Sequence, residues 1–320
     1  MRAVRYHDHG GPEVLTLEEA DRPDPDGDEL LVRVTAAGIN PVDTYFREGG
    51  YPVPALPWIP GCDAAGEVAA VGEDVTDFAV GDRVYATGLG RDQPGTCAEY
   101  AAVPTSVAAP LPDAVDDAEA AALALVGTTA WQAFVAHGNI SPGDEVLVHG
   151  GNGGVGHIAV QLARAAGATV TATAAPEYHD RLHELGADHV VDYASDDLTA
   201  ALETVTTPDI VLGTVANQTI EVDAEVAAHG ARIVAIGNTE PTVAVPMGPA
   251  KFKDLRLQGM SMFNTPDTSA VLGKLAGLVA RGDIDPVIAR RFDLSEVQEA
   301  HQTVSEESFL GKLVVDVQST

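Results

Sequence analysis

The sequence predicts an α/β protein that combines a β-rich segment with a doubly wound parallel sheet. Three observations support this fold class. A glycine-rich turn at 151–156 lies between a short apolar run, typical of a strand, and a helical pattern. From 169 to 237, strand-like and helix-like segments alternate, which indicates a parallel sheet with right-handed crossovers. Residues 1 to about 120 instead contain short apolar runs interrupted by Gly and Pro, which indicate an irregular β domain.

The predicted elements follow this division along the chain. In the first part, strands are predicted at 30–38, 66–72 and 81–86, and four prolines keep 51–61 in a loop. Two alanine-rich helices are predicted next, at 117–125 and 128–135. The alternating part is predicted as strands 169–174, 189–193, 210–215 and 232–237, with helices 177–185, 197–204 and 219–228. The remainder is predicted as strand 255–262, helix 268–280, strand 287–292, a helix reaching 304 with a capping box at Ser295 and Gln298, and strand 312–317.

The glycine-rich turn has the spacing of a dinucleotide-binding site. Gly151, Gly153 and Gly156 form the pattern G-x-G-x-x-G after a strand and before a helix. Such glycines let the backbone approach a pyrophosphate, whose charge then faces the N–H groups at the start of the helix. Any side chain at Gly153 would occupy that space. A tight turn without a ligand has the same pattern, but the flanking strand and helix favour the dinucleotide site.

The composition is strongly acidic. The 320 residues, enough for about two domains, include 18 Lys and Arg against 48 Asp and Glu, a formal net charge of −30. An acidic binding surface, a disordered acidic tail and adaptation to high salt would each explain this balance. Because the acids are spread throughout and 45% of residues are hydrophobic, we favour a cytoplasmic protein from a salt-loving organism. Nucleic acid is not expected as a partner, since phosphate binding needs clustered Lys and Arg.

Cysteine usage and hydropathy point to the same compartment. The two cysteines, Cys62 and Cys97, fit neither a disulfide framework nor a four-cysteine zinc lobe, which indicates a reducing environment. The N-terminus lacks a signal-like apolar segment, and no run approaches the roughly 18 apolar residues of a membrane helix. We therefore expect no membrane partner.

Five segments carry a family resemblance. They are AGINPVDTY at 37–45, PGCDAAG at 60–66, GDRV at 81–84, AEY at 98–100 and HGGNGGVG at 149–156. In this order they resemble the zeta-crystallin-like quinone oxidoreductases of the medium-chain dehydrogenase/reductase superfamily, and the similarity extends to GKL at 311–313. The resemblance implies a GroES-like catalytic domain made of residues 1–122 and 263–320, with a Rossmann NADP-binding domain inserted at 123–262.

The residues at the zinc positions of related enzymes predict a site without metal. Zinc alcohol dehydrogenases would have their first ligand near Asn40 and a Gly-His-Glu near 61–63, where this chain has Cys62 and Asp63. A catalytic zinc needs three protein ligands, and adjacent side chains on an extended segment point to opposite faces. Without a Lewis acid, the acceptor must already be electron-poor, which favours a quinone or an α,β-unsaturated carbonyl.

The candidate catalytic residues are Asn40, Tyr45 and Asp43. Asn40 and Tyr45 match the family's positions near the nicotinamide and are expected to donate a hydrogen bond to the developing oxyanion. Asp43 is expected to orient its neighbours. Alternatively, Asn40 is a turn residue before Pro41 and Tyr45 is a core aromatic. The proton donor stays open, because water can serve.

The end of the strand predicted at 169–174 favours NADPH as the cofactor. NAD sites usually carry an acid about 20 residues beyond the glycines, but residues 173–176 are Thr-Ala-Ala-Pro and Glu177 lies just beyond. Arg181, His179 and Tyr193 are candidates for the 2′-phosphate, although the loop is one residue shorter than the family pattern and Glu177 would repel a phosphate. The resemblance implies further cofactor contacts at Thr129, Asn152, Gly153, Gly154, Val155, Ala174, Ile236, Gly237, Asn238, Met262, Phe263 and Lys312. For Met262 and Phe263, ordinary packing at a domain interface is the alternative.

The predicted function is an NADPH-dependent reductase that transfers hydride to a quinone or another electron-poor carbonyl compound without metal. The alternatives are an NADPH-dependent reductase of enone or alkenal double bonds, an NADPH-binding protein without turnover, and a zinc alcohol dehydrogenase. The family commonly forms dimers, so we expect a homodimer, with the sheet edge near 256–260 available for pairing.

Overall fold

The computed structural model describes residues 1–318 of the chain. The strands are β1 (Arg2–Arg5), β2 (Thr16–Glu19), β3 (Glu29–Ile39), β4 (Asp63–Val71), β5 (Arg83–Ala86), β6 (Tyr100–Pro104), β7 (Ala108–Pro110), β8 (Glu145–Val148), β9 (Thr169–Ala174), β10 (His189–Asp192), β11 (Ile210–Gly213), β12 (Arg232–Ala235), β13 (Arg256–Gly259), β14 (Ile288–Asp293) and β15 (Lys312–Asp316). The α-helices are α1 (Pro41–Arg47), α2 (Asp117–Trp131), α3 (Gly154–Ala165), α4 (His179–Leu185), α5 (Leu198–Glu203), α6 (Ala216–Val226), α7 (Met247–Phe252), α8 (Thr268–Ala280) and α9 (Val297–Glu306).

The chain divides into two compact units. The first, which we call the catalytic unit, comprises Met1–Thr128, Pro266–Gly282 and Pro286–Thr320. The second, the nucleotide unit, comprises Thr129–Thr265 and Asp283–Asp285. Each unit contains its own main sheet, and the catalytic unit is formed from both ends of the chain.

The nucleotide unit contains a parallel sheet of six strands in the order β10-β9-β8-β11-β12-β13. Counted along the chain, this is the order 3-2-1-4-5-6 of the Rossmann fold. The predicted parallel sheet is therefore confirmed. The order reverses between β8 and β11, and a ligand of such a sheet binds beyond the carboxyl ends of the strands at that point.

The catalytic unit contains a mainly antiparallel sheet in the order β14-β15-β3-β4-β5-β7, with β6 paired to β3. Leu313 of β15 lies opposite Ile39 of β3, and Gly38 of β3 lies opposite Asp63 of β4. The start of β15, the end of β3 and the start of β4 therefore meet at one end of the sheet. This register determines which polar residues become neighbours in the site described below.

The two helices predicted at 117–125 and 128–135 form one continuous element. α2 runs from Asp117 to Trp131 and continues as a π-helix, Gln132–His137. Gly127 does not end the helix: a Cβ there would lie 2.8 Å from Leu123 Cδ1 and 3.0 Å from Leu275 Cδ1. The glycine is therefore a position of close packing between α2 and α8.

The structure differs from the prediction in two further places, a helix cap and two short helices. The capping box predicted at Ser295 and Gln298 is wrong: Asp293 and Glu296 form it, and the backbone N–H of Asp293 donates to Glu296 Oε2 at 2.7 Å. A 3₁₀ turn, Leu294–Glu296, precedes α9 and moves the cap toward the N-terminus. α1 and α7, of seven and six residues, were not predicted because prolines, which usually indicate turns, stand at the start of α1 and before and within α7.

The helical segment Asp117–His137 differs from the expectation of no membrane-length apolar run. Within residues 1–318 it is long and apolar enough to cross a membrane by length and composition. However, 78% of its apolar window is buried inside the protein, as is typical of a core helix in a globular fold.

Candidate active site

The glycine-rich turn connects β8 to α3 at the switch point of the parallel sheet. Gly150 has a φ of +66°, and Gly153 is the extended residue before α3. A Cβ on Gly156 would lie 2.0 Å from the carbonyl oxygen of Gly150, so the helix packs directly on the turn. A Cβ on Gly153 would make only an ordinary contact, 3.4 Å from the same oxygen. Gly156 is therefore required for closing the turn, whereas Gly153 leaves space for a ligand.

This arrangement fits the pyrophosphate of a dinucleotide. The first N–H groups of α3 have no intrahelical partners and are oriented with the positive end of the helix dipole. Asn152, Gly153, Gly154 and Val155, the predicted pyrophosphate contacts, are all partly exposed at this end of the helix. When bound, the dinucleotide would lie on these backbone groups.

A network of buried hydrogen bonds lies next to the glycine-rich turn. His149 precedes the glycines, is 3% exposed, and lies 2.7 Å from Asp223 Oδ1 through Nε2 and 3.1 Å from Thr173 Oγ1 through Nδ1. Thr219 Oγ1 donates to the other Asp223 oxygen at 3.0 Å. This network joins the end of β8 to β9 and α6. Sequence reasoning did not identify it, because nothing in the local pattern pairs His149 with Asp223.

The tip of β9 carries no carboxylate. β9 ends at the buried Ala174, whose carbonyl lies 3.1 Å from His179 Nε2. Glu177 belongs to the 3₁₀ turn that follows. The acid that usually binds the 2′-hydroxyl of NAD is therefore missing from this position.

The two other 2′-phosphate candidates differ in their surroundings. Arg181 donates to Glu184 Oε2 at 2.8 Å and to Asp285 Oδ2 at 3.2 Å. These neighbours raise the pKa of Arg181, with the Glu184 hydrogen bond as the main cause. A phosphate would have to compete with two carboxylates for this side chain. Tyr193 follows β10 and is 54% exposed.

The remaining predicted cofactor positions of the nucleotide unit lie on two segments, one after β12 and one after β13, and at the end of α2. Ile236, Gly237 and Asn238 follow β12, and a Cβ on Gly237 would lie 2.3 Å from the Thr214 carbonyl oxygen. Met262 and Phe263 begin the 3₁₀ turn Met262–Asn264, and Met262 is buried. Thr129, in the last turn of α2, is 5% exposed.

Gln132 holds the second of these segments and was not predicted from the sequence. Its side-chain nitrogen donates to the Ser261 carbonyl at 3.2 Å, and its oxygen accepts from Thr265 Oγ1 at 3.0 Å. Gln132 thus ties the π-helix to the turn that carries Met262 and Phe263.

In the catalytic unit, Asn40 lies at the end of β3 and immediately before α1. Its backbone is extended, and its N–H donates to Asp43 Oδ2 at 2.8 Å. Pro41 occupies the first helical position, where the missing N–H is not needed. Asp43 therefore fixes the backbone of Asn40.

The side chain of Asn40 is held between two charged groups. Its nitrogen Nδ2 donates to Asp63 Oδ2 at 2.8 Å, and its oxygen Oδ1 accepts from Lys312 Nζ at 2.6 Å. Lys312 also donates to the Ile39 carbonyl. Asn40, Asp63 and Lys312 are 1%, 0% and 3% exposed. The structure thus brings Asn40, Asp43 and Lys312 together, with Asp63 as a partner that the sequence did not assign.

Burial shifts the pKa values of the charged residues in this cluster. It raises the pKa of Asp63 to about 7, although the charge of Lys312 and the hydrogen bonds from Thr87 and Asn40 act to lower it. It also raises the pKa of Asp43, opposed by the Cys62 thiol, by Asn40 and by Lys312. Burial lowers the pKa of Lys312, and the carboxylates of Asp63 and Asp43 oppose this shift by raising it.

Tyr45 is separate from this cluster. It lies on α1, is 45% exposed, and contacts Tyr51 edge-on with ring centroids 5.9 Å apart. Burial, Tyr51 and Glu48 raise its pKa, so the phenol stays protonated and can donate a hydrogen bond. Tyr45 is therefore not a core aromatic.

These residues do not fit a catalytic zinc. The Asp63 oxygens accept from Asn40 and, at 2.6 Å, from Thr87 Oγ1. Burial and the carboxylates of Asp43 and Asp63 raise the pKa of Cys62 well above its usual range, so the side chain is a neutral thiol in this environment. Within residues 1–318, no group of three or more His, Cys, Asp or Glu is arranged to hold a metal.

Comparison with known proteins relates both units to one family. Residues 26–113 match the alcohol dehydrogenase GroES-like domain, and residues 185–315 match the zinc-binding dehydrogenase family. The quinone oxidoreductase of Rattus norvegicus is 32% identical over 328 residues, covering 98% of this chain and 97% of the relative. The crystal structure of Escherichia coli quinone oxidoreductase complexed with NADPH has a TM-score of 0.90 and 30% identity, covering 99% and 100% of the two chains. An NAD-dependent alcohol dehydrogenase structure has a TM-score of 0.91 and 32% identity, covering 99% and 100%.

Proposed function

Because the chain belongs to the zeta-crystallin-like quinone oxidoreductases of the medium-chain dehydrogenase/reductase superfamily, we propose that it reduces a quinone or a related electron-poor carbonyl compound with NADPH. The observation that carries this proposal is the buried cluster of Asn40, Asp63 and Lys312, in which hydrogen bonds to a carboxylate and an ammonium group fix the Asn40 amide. The bound NADPH supplies the hydride, as in other nicotinamide enzymes.

The chain's own residues position the acceptor and stabilise its charge. Asn40 Nδ2 carries two N–H donors, and one of them is used by Asp63. We assign the second to the oxygen of the acceptor, where negative charge develops as hydride arrives. The Tyr45 hydroxyl is the second proposed donor. An unactivated ketone would need the larger stabilisation that a metal provides, so electron-poor acceptors are favoured.

NADPH is the proposed cofactor because the β9 tip lacks the acid that binds the 2′-hydroxyl of NAD. The quinone oxidoreductase of E. coli, with 30% identity, was crystallised with NADPH. Tyr193 and His179 are the proposed neighbours of the 2′-phosphate, and Arg181 would join them only by leaving its carboxylate partners.

The direct test follows the near-ultraviolet absorbance of NADPH with a series of small quinones and enones. We expect oxidation with quinones, and a higher kcat/KM for NADPH than for NADH. Absence of oxidation with every quinone and enone would contradict the proposal and favour an NADPH-binding protein without turnover. Product analysis distinguishes the alternative enone reductase, because that enzyme saturates the carbon–carbon double bond and a quinone reductase yields a hydroquinone.

The acidic surface leads to a prediction about salt. Raising KCl from about 0.1 M to about 2 M shortens the screening length from about 10 Å to below 3 Å and reduces repulsion within a chain of net charge −30. We expect the midpoint of thermal unfolding to rise by about 5–10 °C, corresponding to a few kcal/mol for a protein of this size. Sucrose at equal osmolality is the control. Equal effects of sucrose and KCl would argue against adaptation to a salt-rich cytoplasm.

The free edge of the parallel sheet leads to a prediction about assembly. β13 ends the sheet, all four of its residues are exposed, and Leu257 on it is 42% exposed. An unpaired strand edge is a template for pairing with a second copy. We propose a homodimer through β13, and expect Leu257→Asp to convert it to a monomer in light scattering. Val80→Asp, at a residue 66% exposed in the catalytic unit, is the matched control. A wild-type monomer would contradict the proposal.

A further inference from the structure

Lys312 is a buried cation in a chain that has few lysines. The sequence contains only Lys251, Lys253, Lys274 and Lys312, and Lys312 is 3% exposed. Removing an ammonium group from water is costly unless charged and polar partners replace the lost hydration. Lys312 has such partners: the Ile39 carbonyl, the Asn40 amide oxygen and the nearby carboxylates of Asp43 and Asp63.

The fold places this ammonium behind Asn40. β15 pairs with β3 so that Lys312 stands beside the end of β3, and β4 brings Asp63 to the other side. Gly38 leaves space for the Asp63 carboxylate, since a Cβ there would lie 3.0 Å from Asp63 Oδ2 and 2.4 Å from the Ala121 carbonyl oxygen. Three neighbouring strands therefore hold Asn40 between a cation and an anion.

These contacts decide which way the Asn40 amide faces. An ammonium group can only donate, and a carboxylate that is ionised can only accept. Because Lys312 can only donate, the oxygen Oδ1 must face it, at 2.6 Å, and the nitrogen Nδ2 then faces Asp63, at 2.8 Å. A hydrogen bond from a cation to the oxygen of an amide withdraws electrons from its nitrogen, which makes the remaining N–H a stronger donor.

We propose that Lys312 is a positioning residue that orients and polarises the Asn40 amide, so that the second N–H of Nδ2 is directed to the oxyanion of the acceptor. This inference rests on the proposed quinone reduction for its catalytic consequence. The orientation of the amide depends only on the cluster itself. Lys312 would then act through Asn40, without touching the cofactor.

The test removes the charges of Lys312 and Asp63 together, so that the net charge of the site does not change. Lys312→Met alone would leave Asp63 buried without its cation, a change that destabilises the fold and would confuse the measurement of activity. The double variant Lys312→Met, Asp63→Asn removes both charges and keeps an amide oxygen that accepts from Asn40 Nδ2. Lys251→Met, at an exposed lysine on α7, is the matched control for losing a lysine.

We expect the double variant to lose about tenfold or more in kcat, in line with the loss of one charge-assisted hydrogen bond, with the Kd of NADPH changed less than about twofold. In an Asn40→Ala background the same two substitutions should change kcat less than about twofold, because Lys312 acts through Asn40. Equal losses in both backgrounds, or a weaker Kd for NADPH with unchanged kcat, would overturn the proposal and assign Lys312 a structural or a cofactor-binding role.

A second readout does not depend on turnover. The side-chain amide resonances of Asn40 are those that disappear from the ¹⁵N–¹H spectrum in Asn40→Ala. We expect both Asn40 protons to lie further upfield in the double variant than in Asp63→Asn alone, and to stay unchanged in Lys251→Met. If the wild-type protein shows no NADPH oxidation, quinone reduction fails, but this comparison still decides whether Lys312 polarises the amide. Equal Asn40 resonances in the double variant and in Asp63→Asn would refute the inference about Lys312.

Discussion

Replacing Asn40 with alanine is expected to lower kcat for quinone reduction by about 10²–10³-fold, the usual cost of removing one donor to a developing oxyanion. The Kd of NADPH should remain close to that of the wild type, because the proposed pyrophosphate contacts belong to the nucleotide unit. Steady-state kinetics and NADPH fluorescence titration check the two quantities separately.

Two comparisons make this prediction specific. Tyr45→Phe removes only a hydroxyl from a residue 45% exposed, so we expect a smaller loss of about tenfold or less. Gln302→Ala, on the exposed face of α9, should leave kcat unchanged and controls for handling of the variants. If Asn40→Ala retains wild-type kcat while its circular dichroism is native, Asn40 is not the oxyanion donor and the proposed catalytic assignment fails.

Alanine at Gly156 and alanine at Gly153 are expected to have different effects. At Gly156 the new Cβ would lie 2.0 Å from the Gly150 carbonyl oxygen, a backbone atom that cannot move away without opening the turn. We expect Gly156→Ala to lower the free energy of unfolding by about 4 kcal/mol or more. Denaturant unfolding monitored by circular dichroism measures this quantity.

Gly153→Ala tests cofactor binding at the turn without disturbing the fold. Its Cβ would lie 3.4 Å from the same oxygen, an ordinary contact, so the protein should fold with stability within about 0.5 kcal/mol of the wild type. We expect the Kd of NADPH to rise about tenfold or more, because the methyl group occupies the space that the pyrophosphate needs. Gly273→Ala, at a glycine of α8 with no atom within 4 Å of the added Cβ, is the control. Equal NADPH affinity in Gly153→Ala and wild type would show that the turn does not bind the cofactor.

Local patterns predicted one strand of the nucleotide unit and one helix of the catalytic unit especially well. The bounds of β9 and α8 were predicted without error, at 169–174 and 268–280. In both segments the apolar period and the flanking residues depend on nearby sequence alone. Gly127 shows the limit of such signals, since a glycine that usually interrupts a helix here allows close packing against Leu275.

The polar cluster of the catalytic unit could not be derived from spacing. Asn40 and Lys312 are 272 residues apart in the chain, and they meet because β15 pairs with β3. Asp63 joins them through the register of β3 and β4. Sequence reasoning selected Asn40 and Lys312 from the family resemblance, but assigned Lys312 to the cofactor. The role that we infer for Lys312 depends on a strand register that no local pattern records.

The measurement that tests the central claim most directly is a single-turnover oxidation of NADPH by a small quinone. The enzyme is first treated with a chelator, and the NADPH carries deuterium at the transferred position. The account predicts full loss of the reduced-nicotinamide absorbance, a slower rate with deuterium than with hydrogen, and less than stoichiometric zinc in the active enzyme. Loss of turnover on chelation that is restored by adding zinc would contradict it.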